Sequence, residues 1–508
     1  MADVVVVGSG PNGLAAAVTM AAAGLEVEVY EAADTLGGGC RTAETTLPGF
    51  RHDECAGAHP MALASPFFQA FDLAAHGVEL LTPEASYAHP LDGGLAGIAW
   101  RDLERTADEL GPDGKAWRSL FAPLVRDWQH VVRTAMSDMR RIPFSPATVR
   151  FGLRMLEQGS SLWNTRFRDG VAPALFTGVA EHVIVPPRQL PAVGAGLLLA
   201  TLAHAVGWPV PRGGSQAIMD ALAADLRRRG GRLHTGHRVD SLAEFPAARA
   251  VLCDIAPAEL TRIAGDRLPA GYRRRLDHYR YGGGSCKVDF ALSGPVPWQA
   301  PGCAEAGTLH LVGSRAEAMA AEHAVAAGIH TNRPFTLVIQ PGVVDPTRAP
   351  AGRHTLYAYA HVPHGSDRDV SELVADQIER FAPGFRDLVL AKHVRTAAEM
   401  PAYNANYVGG DINAGAMTLA QTVFRPVPRW NPYSTGIPGV YLCSSATPPG
   451  GGVHGMSGVH AARHALRTVF GNRADPYRLL TADTAPNPAS QEPRPRPRSR
   501  DTGPAPDR

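Results

Sequence analysis

Gly8, Gly10 and Gly13 stand in the order G-x-G-x-x-G directly behind the apolar run Asp3–Val7, with Pro11 and Asn12 inside the turn. Residues of these types at this spacing can hold a diphosphate. One glycine makes the turn tight, one lets backbone approach the phosphates, and one lets a helix pack against a strand. A helix opening at about Asn12 would aim its unpaired N–H groups and positive end at the anion. Glu31 closes the next apolar run, Glu26–Tyr30, where a carboxylate can accept both hydroxyls of a ribose. A glycine turn alone is weak evidence. Set between a buried strand and a helix of small residues, and followed by that acid, it predicts a dinucleotide site.

Two more segments could touch such a ligand. In Leu36-Gly37-Gly38-Gly39-Cys40-Arg41-Thr42, Gly37 and Gly38 would let backbone pass beneath a diphosphate or ribityl chain, and Arg41 could neutralise phosphate charge. Near the other end, a strand at Gly439–Ser444 runs through Ser445 into the glycine turn Gly450-Gly451-Gly452-Val453-His454-Gly455, followed by a helix from about Met456 to Phe470. Three residues are catalytic candidates. His454 could face a substrate, tether a cofactor, or be a plain turn residue. Lys287 alternates with Asp289 on one predicted strand, either lining a site or forming a paired or solvated edge. The third, His59, follows Cys55-Ala56-Gly57-Ala58.

The elements that must position these residues read as α/β. Asp220–Arg229 is an amphipathic helix stopped by Gly230-Gly231, and strands are predicted at Arg232–Thr235 and Arg249–Asp254, with the segment Arg238–Leu242 between them. Strands at Lys287–Leu292, Thr336–Gln340 and Thr355–His361 predict a second, largely antiparallel sheet. Helices over about 110–162 carry an apolar face at Trp117, Phe121, Leu124 and Trp128. Val193–Val206 is too short to cross a bilayer. It predicts a buried helix or the wall of a lipophilic tunnel that opens at a membrane surface.

Bulk properties narrow the classes. The 508 residues include 49 basic and 48 acidic ones, a net charge of +1, which gives no field for attracting nucleic acid. The six cysteines (Cys40, Cys55, Cys253, Cys286, Cys303 and Cys443) show neither C-x-x-C nor zinc-site spacing. They predict free thiols in a reducing compartment, with Cys443 a buried strand residue, and neither dithiol redox chemistry nor a metal site. The first residues form a strand without a basic leader, so a cytoplasmic protein is expected, in peripheral contact with a membrane if the tunnel reading holds. No second dinucleotide fingerprint accompanies the first.

On these motifs the sequence resembles the FAD-binding amine oxidases and phytoene desaturases, whose first βαβ unit precedes a Gly-Gly-x-x-Arg-Thr segment. Tyr281-Gly282, Lys287-Val288-Asp289, Val344-Asp345-Pro346-Thr347 and Gly409-Gly410-Asp411-Ile412 extend the match. They are similar to the branch of carotenoid ketolases and pyridine nucleotide-disulfide oxidoreductase domain-containing protein 2, over residues 3 to 471. The resemblance implies noncovalent FAD in a Rossmann-like domain interleaved with an α+β substrate domain. Cofactor contacts are then expected at the glycine turn and Glu31, at Gly37, Gly38 and Arg41, and at Val239. At the C-terminal end they fall at Ser445, Gly451, Gly452, Val453 and Met456, where N–H groups would face the flavin's pyrimidine edge. Many relatives carry an acid at the position of Ser445, so this chain brings no charge there. His59 falls where relatives place a segment near the flavin.

The expected division is an FAD-binding part at 1–75, 209–284 and 432–482, a substrate part at 76–208 and 285–431, and a disordered Pro/Arg-rich tail from 483 to 508. The function implied is hydride transfer to flavin from an apolar, isoprenoid-like small molecule. Amine oxidation on the same fold, or flavin-dependent regulation without turnover, are the alternatives.

Overall fold

The computed structural model describes residues 2–140 and 142–482; the predicted tail lies outside the described residues. In chain order the strands are β1 Val4–Val7, β2 Val27–Tyr30, β3 Thr42–Ala43, β4 His52–Asp53, β5 Leu80–Leu81, β6 Ala85–Leu91, β7 Leu95–Trp100 and β8 Val210–Pro211. They continue as β9 Arg232–His234, β10 Ala250–Cys253, β11 Gly284–Leu292, β12 Ala306–Leu311, β13 Thr336–Ile339, β14 His354–Val362, β15 Val389–Arg395 and β16 Val440–Leu442. Two sheets carry the fold. A five-stranded parallel sheet has the order β16-β10-β1-β2-β9, and a seven-stranded mixed sheet has the order β15-β11-β14-β13-β12-β6-β7.

The parallel sheet is buried on both faces, as a run of four valines requires. Val4 and Val6 pack with Leu14 and Val18 of the helix Pro11–Ala22, while Val5 and Val7 pack with Leu260 and Ile263 of the helix Pro257–Ala264. The first helix begins at Pro11, earlier than the sequence suggests, because proline is well placed at a first helical position, where no N–H bond is lost. Gly13 sits where this helix meets the strand ends. A side chain there would overlap the Gly8 carbonyl oxygen.

The seven-stranded sheet has two unlike faces, set by the two-residue period of its strands. Cys286, Val288, Phe290, Leu309, Val338 and Ala358 point into an apolar core under Val374, Ile378 and Phe381 of the helix Ser371–Phe381. The alternate residues put Tyr87, Thr308, Tyr357, Tyr359, Lys287 and Asp289 on the other face, in register across β6, β12, β14 and β11. Over that face lie helices of the middle of the chain. Among them is Gly114–Arg126, with Trp117, Phe121 and Leu124 fully buried. The helix Leu190–Ala205 is buried, as expected, and part of it lines a cavity. Val193, Leu197 and Ala200 are buried in the core, and Pro191, Gly194, Ala195, Leu198 and Leu199 line a cavity.

Candidate functional site

A cavity of about 910 Å³ runs between the two sheets. One end lies over the carboxyl ends of the parallel strands, where open α/β sheets bind ligands. Gly8, Gly10, Pro11 and Asn12 form its floor, Glu31, Gly38, Gly39 and Arg41 one wall, and His237, Arg238 and Val239 another. Ser445, Gly451, Gly452 and Val453 line it further along. Thus segments far apart in sequence meet: Asn12 Nδ2 lies 3.4 Å from Ser445 Oγ as a donor, while Asn12 Oδ1 is buried without a partner.

Glu31 organises the wall. Its Oε2 accepts from the Ser9 N–H at 2.9 Å and the Ser9 hydroxyl at 2.6 Å; its Oε1 accepts from the Ala33 N–H at 2.9 Å and from Arg41 Nη2 at 3.3 Å. The carboxylate therefore fixes both the glycine turn and the arginine, besides facing the cavity. Arg41 also lies over the Tyr403 ring, 5.4 Å from its centroid, and Tyr403 donates its hydroxyl to the Gly38 carbonyl at 2.7 Å. Tyr403 has no sequence signal, since it reaches the site from the far end of the chain.

Asp254 is a second residue that the motifs do not reveal, although its place just beyond β10, at the carboxyl end of a parallel strand, is a usable clue. It lines the cavity and accepts the Gly13 N–H at 2.8 Å. Burial pushes its carboxyl up to about 7, with the Glu31 charge adding to the rise and the Gly13 N–H opposing it.

Several expected contacts lie off the cavity wall. Gly13 turns its N–H to Asp254, and Gly37 directs its N–H to Ser9 Oγ at 3.2 Å. Met456 is buried, with its N–H donating to His454 Nδ1 at 3.0 Å; His454 Nε2 in turn donates to the Gly450 carbonyl at 3.1 Å. That pair of bonds needs a neutral imidazole, and burial holds His454 down to about 4. His454 therefore ties the glycine turn together, the plainest of its three readings. Gly452 lines the cavity, but its φ of +121° and a would-be Cβ 2.7 Å from Met61 Sδ require glycine whatever the ligand.

Lys287 and Asp289 are neither an edge nor a cavity wall. β11 lies between β14 and β15, and both residues are buried and paired with each other. Burial alone would raise the Asp289 carboxyl, but Lys287 and His52 outweigh it and hold it well below the usual range. Lys287 also lies over the Tyr357 ring, 3.9 Å from its centroid. His59 does line the cavity. Its Nε2 lies 2.7 Å from Ser215 Oγ, which donates to the Ala56 carbonyl, so His59 is the donor and its Nδ1 is left without a partner. Burial lowers it to about 4, so it is neutral at pH 7.

The other end of the cavity is apolar. Phe151 and Met155 of the helix Pro146–Gln158, Leu198 and Leu199, Trp208 and Met417 line it, with Leu337, Ile339, Tyr357 and Tyr359 from the seven-stranded sheet. Among the described residues no helix is long and apolar enough to cross a membrane.

Residues 6–76 match the family described as NAD(P)-binding Rossmann-like domain. Over 92% of this chain and 94% of its own length, pyridine nucleotide-disulfide oxidoreductase domain-containing protein 2 of Rattus norvegicus is 25% identical. A phytoene dehydrogenase of Streptomyces griseus is 28% identical over 79% of this chain and 80% of its own. Among solved structures, a redesigned putrescine oxidase superposes with a TM-score of 0.56 at 16% identity, covering 92% of this chain and 98% of its own. The fold and the likeness define an oxidoreductase of the flavin type. Within that class the chain is similar to the FAD-dependent amine oxidases and desaturases.

Proposed function

We propose that the chain holds FAD noncovalently along this cavity and oxidises an apolar, isoprenoid-like substrate by hydride transfer. The observation that carries the reading is continuity: one cavity joins the dinucleotide floor at Gly8–Asn12 to an apolar chamber at Phe151, Leu198 and Trp208. The residues present suit the cofactor. The glycine turn and the N-terminus of the helix Pro11–Ala22 would take the diphosphate with Arg41, Glu31 the adenosine ribose, and Ser445 with Gly451–Val453 the flavin end. The unpartnered Oδ1 of buried Asn12 adds an acceptor between the two. When bound, FAD supplies the electron sink for a hydride leaving carbon.

The chain's own part is to bind, orient and keep water out. Leu198, Leu199 and Trp208 give a wall without charge, and neutral His59 can accept a hydrogen bond at Nδ1 without bringing a cation. The name of the Streptomyces griseus relative, a phytoene dehydrogenase, supports an apolar substrate. Supply from a membrane surface fits the rim: Ile142, Phe144, Leu153 and Leu156 are exposed, and Ile142 also lines the cavity. Amine oxidation would be favoured by two parallel aromatic rings in the apolar chamber, where Tyr357 and Tyr359 stand at 84° to each other; the stacked pair Tyr403 and Tyr407 lies at the Gly38–Arg41 wall instead.

The test is anaerobic. Purified yellow protein is mixed with fractions of a cell extract, and visible absorbance is followed. Bleaching by an apolar lipid fraction is expected. Bleaching by amines alone would replace the reading with amine oxidation, and a cofactor that no fraction reduces would favour a regulator without turnover.

A further inference from the structure

At the inner end of the cavity, the sheet wall carries polar groups that the proposed hydride transfer does not use. Thr308 of β12 lies opposite Tyr87 of β6, and His310 follows two residues on, on the same face. His182, just past the helix Val171–Ala180, lines the cavity with Thr308 and Tyr359 and sits 2.9 Å from His310, Nε2 to Nε2. Behind them His89 Nε2 donates to the Gly313 carbonyl at 2.7 Å, and His361 Nδ1 meets Glu322 Oε1 at 2.6 Å. Glu181 is buried beside Glu322.

These side chains are unusual in what they lack. Tyr87 Oη, Thr308 Oγ1, His310 Nδ1, His361 Nε2 and both oxygens of Glu181 are buried with no hydrogen-bond partner. The residues that carry them are at most 1% exposed. Buried polar atoms are nearly always paired, because an unpaired one forfeits its hydration without return. So many in one place, against a cavity wall that is otherwise apolar, mark a place where hydrogen bonds are to be made.

We propose that the wall at Thr308 and His182 is a hydrogen-bonding subsite for an uncharged oxygen function, a hydroxyl or carbonyl, carried by an otherwise apolar substrate. It rests on the apolar-cavity reading above and narrows its substrate class from a hydrocarbon to an oxygenated one. The charge state selects a neutral group. Burial holds His182 down to about 3, keeps His310 well below its usual range, and raises the Glu181 carboxyl, with Glu322 adding to that rise. The nearest lysine on the same face, Lys287, is already paired with Asp289. Among the described residues a carboxylate or phosphate would find no free cation at this wall, whereas a hydroxyl or carbonyl meets donors and acceptors together.

The test uses the purified holoprotein and Nile red displaced from the cavity by decan-1-ol or by decane, each delivered from cyclodextrin. The alcohol is expected to bind about tenfold or more tighter, the worth of one to two hydrogen bonds. Thr308→Val keeps shape and removes the hydroxyl; His182→Leu removes the imidazole. Each should cut the preference to about threefold or less while leaving decane affinity unchanged. Equal binding of the two ligands to the wild type overturns the subsite alone, as does a preference that survives both variants. Failure of both ligands to displace the dye overturns the apolar-cavity reading and the subsite with it.

Discussion

The two sheets put chemistry in different places. In the parallel sheet the inner strands β1 and β10 are apolar on both faces, and Gly8, Glu31 and Asp254, which line the cavity, follow the carboxyl ends of β1, β2 and β10. In the seven-stranded sheet the polar groups stand in mid-strand on one face, as Lys287, Thr308 and Tyr359 do, while the opposite face is a plain core. The first arrangement offers a ligand backbone groups and two buried acids; the second presents side chains across a wall. A lesion should therefore act on the cofactor in the first region and on stability or the substrate in the second.

The largest expected effect is Gly13→Val. Its side chain would overlap the Gly8 carbonyl, with the Asp254 side chain close by, and the resulting strain of about 4 kcal/mol or more should leave no yellow, folded protein in gel filtration. Well-folded, cofactor-loaded variant would show that the glycine turn is looser than described.

Lys287→Met comes next, and it should separate the two regions. It leaves Asp289 buried without its cation, faced only by His52 and the Thr45 hydroxyl, at a cost of about 3–5 kcal/mol in urea unfolding. Cofactor content per folded molecule should stay full, because Lys287 is not on the cavity wall. Adding Asp289→Leu should recover most of the loss. Loss of cofactor without loss of stability would move Lys287 into the site.

Glu31→Ala acts at the other sheet and on the cofactor. Removing bonds to the ribose should cost about 1.5–3 kcal/mol, or roughly tenfold or more in FAD affinity by fluorescence titration. Release of Ser9 and Arg41 adds to the loss. Unchanged affinity would take Glu31 out of the site.

A further effect concerns pH. The folded-state value of Asp254, about 7, lies above the roughly 3.9 of an unfolded aspartate. The folded form thus holds the proton more tightly. This contribution is fully present below about pH 4 and is lost as pH rises through about 7. The melting temperature of wild type minus that of Asp254→Asn should fall across that window. A difference that is flat or rising would contradict the buried, protonated carboxyl.

The same contrast explains what the sequence reveals. The glycine turn with Glu31 is contiguous with the strands and helix that need it, so its pattern can be read directly. β11, β13 and β14 show their alternation. The inner wall cannot be read, because Tyr87, His182, Thr308 and Tyr359 come from four distant segments that meet only through register. At the C-terminal turn, Gly452 and His454 invite a cofactor reading, whereas local backbone and hydrogen bonding account for both. Asp254 stays hidden because an acid after a strand is common and only burial makes this one distinctive.

The proposed function depends on the cofactor inferred for the first sheet. The direct measurement is to denature purified protein, remove the chain, and identify the released chromophore by chromatography. The account predicts FAD in near-equal amount to the protein and no colour left on the polypeptide. Recovery of FMN, of a nicotinamide nucleotide alone, or of a chromophore that stays with the chain would contradict it.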